Sequence, residues 1–131
     1  MNDPLNDIRH YSPTMTISQV IKFCEKKQMS ITRAMIQNYI RAGLLPPPKE
    51  KRFYTHKHLA VLAMTDCLKT VFDIPTIQKA LAPHMDDEGL SLEIYAELMQ
   101  EIKNFSNERG GEKLLTMVRA AALKGAVLCE F

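Results

Sequence analysis

The sequence predicts an all-α protein that carries one small β element, and three observations support this fold class. Apolar residues recur at helical spacing through most of the 131 residues. A serine, threonine or aspartate precedes most of these apolar stretches, which is where a helix N-cap is expected. A strand pattern is found only in a basic loop at residues 46–54, so the β element is expected there.

The length and composition indicate one compact domain, or one small domain with an appendage. Apolar residues make up 46% of the chain, which is enough for a core and outside the range of disordered sequences. The sequence has no apolar run of about 18 residues and no signal-peptide core. We therefore expect a cytoplasmic protein with no membrane partner.

The net charge of +2 is unevenly distributed, which indicates an anionic partner for one part of the chain. Residues 14–58 carry nine basic and two acidic side chains, a formal charge of +7. Residues 59–131 carry seven basic and eleven acidic side chains, a formal charge of −4. An ordinary solvated basic surface explains the bias equally well, so charge alone does not identify the partner.

The first predicted elements are an N-terminal arm at residues 1–13 and a short amphipathic helix at residues 17–27. The arm has no apolar periodicity, so we expect it to be ordered only if it docks. Thr16 and Gln19 have the spacing of a capping box at the start of the helix. An i, i+3, i+4, i+7 stripe defines its buried face: Ile17, Val20, Ile21 and Cys24.

A second helix, from about Thr32 to Arg41, is predicted to have one apolar and one polar face. Gly43 supplies the left-handed residue that ends this helix, and Leu44 and Leu45 are expected to fold back onto its apolar side. The apolar side carries Thr32, Ile36, Tyr39 and Ile40, whereas the polar residues are Arg33, Gln37, Asn38 and Arg41.

A proline-braced basic loop, the predicted wing, follows at residues 46–54. Its three prolines prevent further helix. Its other functional residues are Lys49, Lys51, Arg52, Phe53 and Tyr54. Two short helices in tandem with a basic loop behind them predict a winged helix-turn-helix domain over residues 14–83. Helical hairpins that bind nothing share the first part of this pattern.

Two more helices complete this predicted domain. Thr55 caps a helix from 56 to about 71, which is apolar on a broad face and is expected at the centre of the core. Asp73 and Pro75 begin a two-turn helix that ends at Pro83.

Residues 84–131 are predicted to form a C-terminal helical region. Charged breaks at residues 84–91 and 106–111 flank a helix that Ser91 caps. Residues 112–129 form a last helix that is apolar nearly all round. We expect these two helices to form a compact pair that packs on the chain or makes a dimer contact.

A resemblance to the DNA-binding domain of MerR-type regulators covers about residues 14–82. It rests on the run TISQV, TRAMIQNYIRAGLLPPP and KRFYTHKHLAVLAMTDCLKTVFDIPTIQKAL. Its strongest pieces are the GLLPPP stop, Arg52 and Tyr54 of the wing, and the threonine cap that follows. The variant NYIRAG, with Ile74 and Pro75 after the long helix, is most similar to a MerR-like family, domain of unknown function 1836.

The MerR resemblance implies a homodimer that binds an inverted repeat in double-stranded DNA. Three features depart from the MerR pattern. The turn before the second helix is about two residues longer, and Gln37 and Asn38 replace an arginine and an aromatic residue. The break at residues 84–91 stands where MerR proteins continue into one long dimerisation helix.

Nine residues are the candidate DNA contacts. The long polar side chains of the second helix could enter a major groove, where arginine pairs with guanine and glutamine or asparagine pairs with adenine. The basic side chains of the wing are expected on phosphates, and Tyr54 could bury its ring and offer its hydroxyl to a phosphate. An exposed polar helix face and a flexible charged loop are the simpler interpretations. The nine are Arg33, Gln37, Asn38, Arg41, Lys49, Lys51, Arg52, Tyr54 and Lys57.

No metal site or cofactor is expected. Cys24, Cys67 and Cys129 lie far apart without CxxC spacing, which favours buried reduced thiols. His56 and His58 point about 200° apart on a helix, so we interpret them as surface residues that share no metal. An acidic group around His84 could hold a divalent cation, but a solvated loop is favoured because coordination spacing is missing (Asp86, Asp87, Glu88).

Two other functions stay open at this point. A helical protein–protein interaction module would use the helix-turn-helix only as a scaffold. An excisionase-like recombination directionality factor would use a similar winged helix. Catalysis is not expected, since the chain has no glycine-rich phosphate loop, GxSxG or HExxH motif. A small-molecule or protein effector is left open.

Overall fold

A computed structural model describes the backbone of residues 4–107 and the side chains of residues 5–102. In that range the fold is mostly helical with one small two-stranded sheet, as the sequence predicts. The helices are α1 (Pro4–Arg9), α2 (Ile17–Lys26), α3 (Arg33–Ala42), α4 (His56–Leu68), α5 (Ile74–Leu81) and α6 (Leu92–Asn107), and the strands are β1 (Met85–Asp86) and β2 (Gly89–Leu90).

Helix α4 lies at the centre of the core, which confirms its predicted place. Nine of its 13 residues are buried, so a helix that is apolar around most of its circumference is covered on most sides. The neighbours α1, α5, α6 and β2 all pack against it. The helix ends at Leu68 rather than near residue 71.

The N-terminal arm contains a docked helix. Helix α1 buries Leu5 and Ile8, and it packs on α4 and α6. Asp7 on its other side forms an exposed ion pair with Lys27, just after α2. A helix with only two buried residues is too short to produce a recognisable apolar period. The arm therefore docks on the core, which is the condition under which we expected it to be ordered.

Helix α2 begins with the predicted capping box and ends in a left-handed residue that the sequence did not reveal. The backbone N–H of Thr16 donates to the Gln19 side chain at 2.8 Å. At the other end Gln28 has φ +58°, and the N–H of Met29 donates to the carbonyl of Cys24 at 2.9 Å. This is a Schellman motif with glutamine where glycine is preferred.

Helix α3 ends as predicted at Gly43, which has φ +83°. The N–H groups of Leu44 and Leu45 donate to the carbonyl of Tyr39 at 3.0 and 3.1 Å. Both leucines are buried, so the chain folds back onto the apolar side of the helix. The predicted boundaries of α2 and α3 agree with the structure to within one residue.

The two-stranded sheet lies at residues 85–90, where only a charged break was expected. Strands β1 and β2 are antiparallel, with Met85 opposite Leu90 and Asp86 opposite Gly89. Leu90 is fully buried. A Cβ on Gly89 would overlap the carbonyl oxygen of Lys57. The hairpin therefore packs directly against the backbone of α4, whereas the predicted wing contains only isolated β-bridges.

Helix α5 has the predicted start. The Asp73 carboxylate accepts the N–H of Thr76 at 2.9 Å, and Pro75 lies in the first turn. Its end is followed by one 3₁₀ turn, Ala82–His84, before the hairpin begins. The polypeptide therefore leaves α5 through a sharp turn and does not continue into a longer helix.

Helix α6 follows the hairpin. The Ser91 hydroxyl accepts the N–H of Ile94, and Tyr95 and Leu98 are buried. The helix continues to Asn107, so the break expected at 106–111 is wrong for its first two residues. The predicted helix at 112–129, which is the second member of the C-terminal helical pair, lies outside the described residues.

Helices α2 and α3 both end in Schellman motifs, with Gln28 and Gly43 as their left-handed residues. Substitutions at these two residues should have opposite effects on stability. Gly43→Ala should lower the free energy of unfolding by about 1 kcal/mol, because alanine is strained at positive φ. Its Cβ would also lie 3.2 Å from the Gln78 side-chain nitrogen. Gln28→Gly should raise the free energy of unfolding by up to about 1 kcal/mol by relieving the same strain.

Urea denaturation followed by circular dichroism measures both changes. The two variants control for each other, since each alters one left-handed residue at the end of a short helix. A Gln28→Gly variant that is less stable than the unmodified chain would show that the glutamine is not strained there.

Candidate nucleic-acid interface

Helix α3 presents one polar and basic face. Ile36 and Tyr39 are buried on its inner side and Ile40 is half-buried, which agrees with the predicted division into two faces. Thr32 was expected on the same side, but it is exposed, and its hydroxyl accepts the N–H of Met35 at 3.2 Å as the N-cap of the helix. A run of four side chains that can donate hydrogen bonds to bases or phosphates lies on the outer side. These exposed residues are Arg33, Gln37, Asn38 and Arg41.

The end of the wing lies beside the start of α2. Tyr54 pairs with Met15 through two backbone hydrogen bonds of 2.8 Å. Burial raises the pKa of the Tyr54 hydroxyl, and the positive charge of Arg33 acts in the opposite direction. The pairing of Tyr54 with Met15 therefore fixes the end of the wing at the start of α2.

The wing tip is a tight basic turn. The backbones of Lys49 and Phe53 exchange hydrogen bonds of 2.7 and 2.9 Å. Glu50 and Lys51 have φ of +52° and +66°, as the central residues of a type I′ turn do. The guanidinium carbon of Arg52 lies 5.0 Å from the centre of the Phe53 ring, a cation–π contact. Lys51 and Arg52 are both exposed on this tip.

Two of the nine candidate contacts are paired with carboxylates of the β1–β2 hairpin. The Nζ of Lys49 lies 2.7 Å from Oε2 of Glu88, and Lys57 forms an ion pair with Asp86. The hydrogen bonds from these lysines lower the pKa of both carboxyl groups. The sequence predicts neither pair, because their members are 39 and 29 residues apart in the chain and share no local pattern.

His58 is fully buried, so its interpretation as a surface residue is wrong. Its Nδ1 accepts the backbone N–H of Thr55 at 2.9 Å, which leaves the proton on Nε2. That Nε2–H is within reach of the carbonyls of Pro46 and Pro47, at 3.1 and 3.3 Å. The ring also makes an edge contact with Tyr54, with 5.2 Å between centres. His58 therefore fastens the root of the wing to the first turn of α4.

His56 is half-buried rather than a surface residue. Its Nε2–H donates to the backbone carbonyl of Tyr11 at 2.8 Å, so it holds the segment that follows α1. The TxxH spacing of Thr55 and His58 resembles a capping box with histidine in place of glutamate or glutamine. That similarity is the one sequence signal that could have revealed the buried role of His58.

The turn between α2 and α3 is clamped to α4. The N–H of Ser30 donates to Oδ1 of Asp66 at 3.1 Å, and the Nζ of Lys69 donates to the carbonyl of Ser30. Asp66 and Lys69 also form an ion pair with each other. Both backbone groups of Ser30 are thus satisfied by one charged pair, which fixes the entry of the chain into α3.

An open cavity of about 270 Å³ lies beside the end of α3. Its lining is mostly apolar and comes from α3, the wing root, α5 and β1. The lining residues include Ile40, Leu45, Pro46, Pro47 and Met85, with Gln78 and Asp86 as polar groups. The cavity therefore connects the end of α3 to the root of the wing.

The cysteines and acidic residues of the described range do not assemble into a metal centre. Among residues 4–107, no group of three histidine, cysteine or acidic side chains has the geometry to hold an ion. Cys24 is buried as expected, and burial raises the pKa of its thiol to about 11. Cys67 is exposed, so the expectation of a buried thiol is wrong there. Cys129 lies outside the described residues.

The comparison with protein families confirms the similarity to domain of unknown function 1836 that the sequence shows. The profile of the domain of unknown function (DUF1836) matches residues 6–106. This chain belongs to that family. The matched region of the DUF1836 domain includes α3, the wing, the hairpin and nearly all of α6. Comparison with curated proteins and with solved structures gives no match.

None of the helices in the described part of the chain has the length and apolar character needed to cross a membrane.

The burial of His58 predicts a pH-dependent stability. Burial lowers the pKa of His58 below its ordinary value. The hydrogen bonds to the carbonyls of Pro47 and Pro46 oppose this shift, and so do the nearby charges of Glu88 and Asp86. The unfolded chain then binds this proton more readily than the folded chain. The contribution of His58 to stability should therefore be complete above a pH of about 6.5 and should decrease as the pH falls below it.

The His58→Gln variant tests this linkage. Glutamine can accept the Thr55 N–H as in a conventional capping box, but it does not titrate. Urea denaturation at a pH of about 7.5 and about 5.5 should show a smaller loss of stability for the variant than for the unmodified chain. Equal losses in the two proteins would contradict the assignment, because the other histidines are the same in both.

Proposed function

We propose that this protein binds double-stranded DNA as a homodimer and acts as a transcription regulator. Helix α3 of each protomer enters a major groove, and the wing contacts phosphates beside it. The base contacts are assigned to Arg33, Gln37, Asn38 and Arg41. The phosphate contacts are assigned to Lys49, Lys51, Arg52, Tyr54 and Lys57.

The observation that carries this proposal is that an exposed polar face on α3 and an exposed basic wing tip belong to consecutive segments held on the same core. His58 fastens the root of the wing to α4, and the pairing of Tyr54 with Met15 ties its end to the start of α2. We therefore assign the polar face of α3 and the wing tip to one ligand. An extended polyanion such as duplex DNA matches a surface that combines groove-sized side chains with flanking cations.

The base contacts follow from side-chain chemistry. Arginine donates two parallel hydrogen bonds to guanine, and asparagine or glutamine exchanges two with adenine. Arg33 and Arg41 lie in the first and last turns of α3, with Gln37 and Asn38 between them. A helix of 10 residues with such an order reads a short mixed sequence, and a homodimer reads it twice as an inverted repeat.

We propose a MerR-like mode of binding only for the half of the chain that would contact DNA, residues 14–82. The order of caps, helices and wing supports the likeness. In MerR-type regulators a long helix then forms the dimer coil, whereas here α5 ends at Leu81 and the hairpin follows. The proposal therefore includes a homodimer but assigns no dimerisation coil and no distortion of promoter DNA.

The direct test is a titration of the full-length chain into a labelled duplex of random sequence at low salt. Binding that weakens steeply as salt is added supports the proposal, because counterions are released from the duplex. Selection from a random pool of duplexes then identifies the site. No retention on DNA or heparin at low salt would favour a protein–protein interaction module instead.

The wing assignment predicts the effect of Arg52→Ala. This variant should weaken binding to specific and random duplexes alike, because a phosphate contact carries no sequence information. The slope of log Kobs against log salt concentration should become shallower by about 0.9, the value for one lost phosphate contact. Fluorescence anisotropy across a salt series measures both quantities.

Lys79→Ala is the matched control for this measurement. Lys79 is an exposed cation of α5 outside the proposed interface, so the variant removes the same charge elsewhere. Equal changes of slope in the two variants would show that only the net charge matters and would reject the contact assigned to Arg52.

A further inference from the structure

We propose that the β1–β2 hairpin is a built-in competitor of the DNA backbone. Its carboxylates at Asp86 and Glu88 occupy the ammonium groups of Lys57 and Lys49, two cations that a duplex would otherwise bind. This inference rests on the proposed DNA-binding function and concerns its regulation.

The position of the hairpin is fixed by core packing and not by its ion pairs. Leu90 is fully buried. The backbone of Gly89 lies so close to α4 that any Cβ would overlap the Lys57 carbonyl oxygen. Asp86 also accepts the N–H of Glu88 at 2.9 Å, which stabilises the hairpin turn locally. The two carboxylates are therefore held beside the interface whether or not the lysines bind them.

The ion pairs themselves are weak enough to exchange partners. In the first pair 53% of the Lys49 side chain and 35% of the Glu88 side chain are exposed. In the second pair the exposed fractions are 31% for Lys57 and 54% for Asp86. Pairs in such surroundings are screened by water and salt. A phosphate that approaches the wing can replace either carboxylate, but the displaced carboxylate stays close and repels the phosphate. Each of these two contacts is therefore weaker than a contact made by an unpaired lysine.

The location of the competitor gives it a selective effect. It opposes the contacts of Lys49 and Lys57, which read no sequence, and does not involve the four base-reading side chains of α3. Reducing the backbone contribution lowers binding to every duplex. A larger share of the total affinity then depends on base contacts, so random sequences are disfavoured relative to a site that α3 matches.

The double variant Asp86→Asn/Glu88→Gln tests the competition. Asparagine at position 86 keeps a side-chain oxygen that can accept the backbone N–H of residue 88, so the turn is retained. Against a labelled duplex of random sequence at low salt, the full-length variant should bind about tenfold tighter than the unmodified chain. The slope of log Kobs against log salt concentration should become steeper by up to about 1.8, the value for two further phosphates.

The control is Glu25→Gln/Glu93→Gln. Both residues are exposed and lie outside the hairpin, and their replacement changes the net charge by the same amount without touching either ion pair. The control should tighten binding less than about threefold, since it leaves both lysines paired and changes only the screened net charge. Thermal unfolding by circular dichroism checks that each variant folds. If the double variant does not fold, the single variants Asp86→Asn and Glu88→Gln should each bind about threefold tighter.

The outcomes separate this inference from the proposed function. Tightening that is equal in the double variant and the control overturns the competition and leaves only a net-charge effect. An unchanged affinity in the double variant, while the unmodified chain binds DNA, overturns the inference and leaves DNA binding intact. If none of the proteins, including the unmodified chain, binds DNA in a salt-sensitive way, the DNA-binding function itself is rejected.

Discussion

The buried imidazole of His58 is the constraint on which the arrangement of the site depends. A polar ring inside the core must satisfy both nitrogens, because an unpaired buried polar group costs about 1–3 kcal/mol. One nitrogen takes the N–H of Thr55 and the other reaches the carbonyls of Pro46 and Pro47. If the wing root moved away from α4, the Nε2–H of His58 would lose its partners and would be buried without a hydrogen bond. The prolines add stiffness, and the histidine decides where the stiff segment is attached.

Helix α3 is held at both ends by unrelated devices. At its entry, the Asp66–Lys69 pair binds both backbone groups of Ser30. At its exit, the left-handed Gly43 lets the chain fold back, and the buried Leu44 and Leu45 anchor it. Neither device uses the exposed polar face. That face is therefore presented by a rigid support, which is what selective contact with base edges requires.

The separation of charge along the sequence becomes a contact in space. The positive half of the chain supplies the wing and the start of α4, and the negative half supplies the hairpin. Backbone packing at Gly89 brings the two together at Lys57, so part of the formal +7 of residues 14–58 is neutralised within the chain. The basic charge that faces a ligand is consequently smaller than composition suggests.

The sequence by itself determined the helices from α2 to α5, the N-caps of α2, α4 and α5, the central place of α4 and the two faces of α3. These features depend on residues within about four positions of each other, so the local pattern contains the information they need. The DUF1836 family also follows from the sequence, since the NYIRAG variant and the Ile74–Pro75 pair after the long helix are local motifs.

Only the tertiary structure decided which polar groups are buried and which charges meet. His58, the hairpin carboxylates and the α1 helix all have partners dozens of residues away or in another element. Strands of two residues also contain too little alternation to be recognised. Their placement follows from the closure of the core around α4, which forces distant backbone groups and side chains together. No pattern along one stretch of chain can specify that.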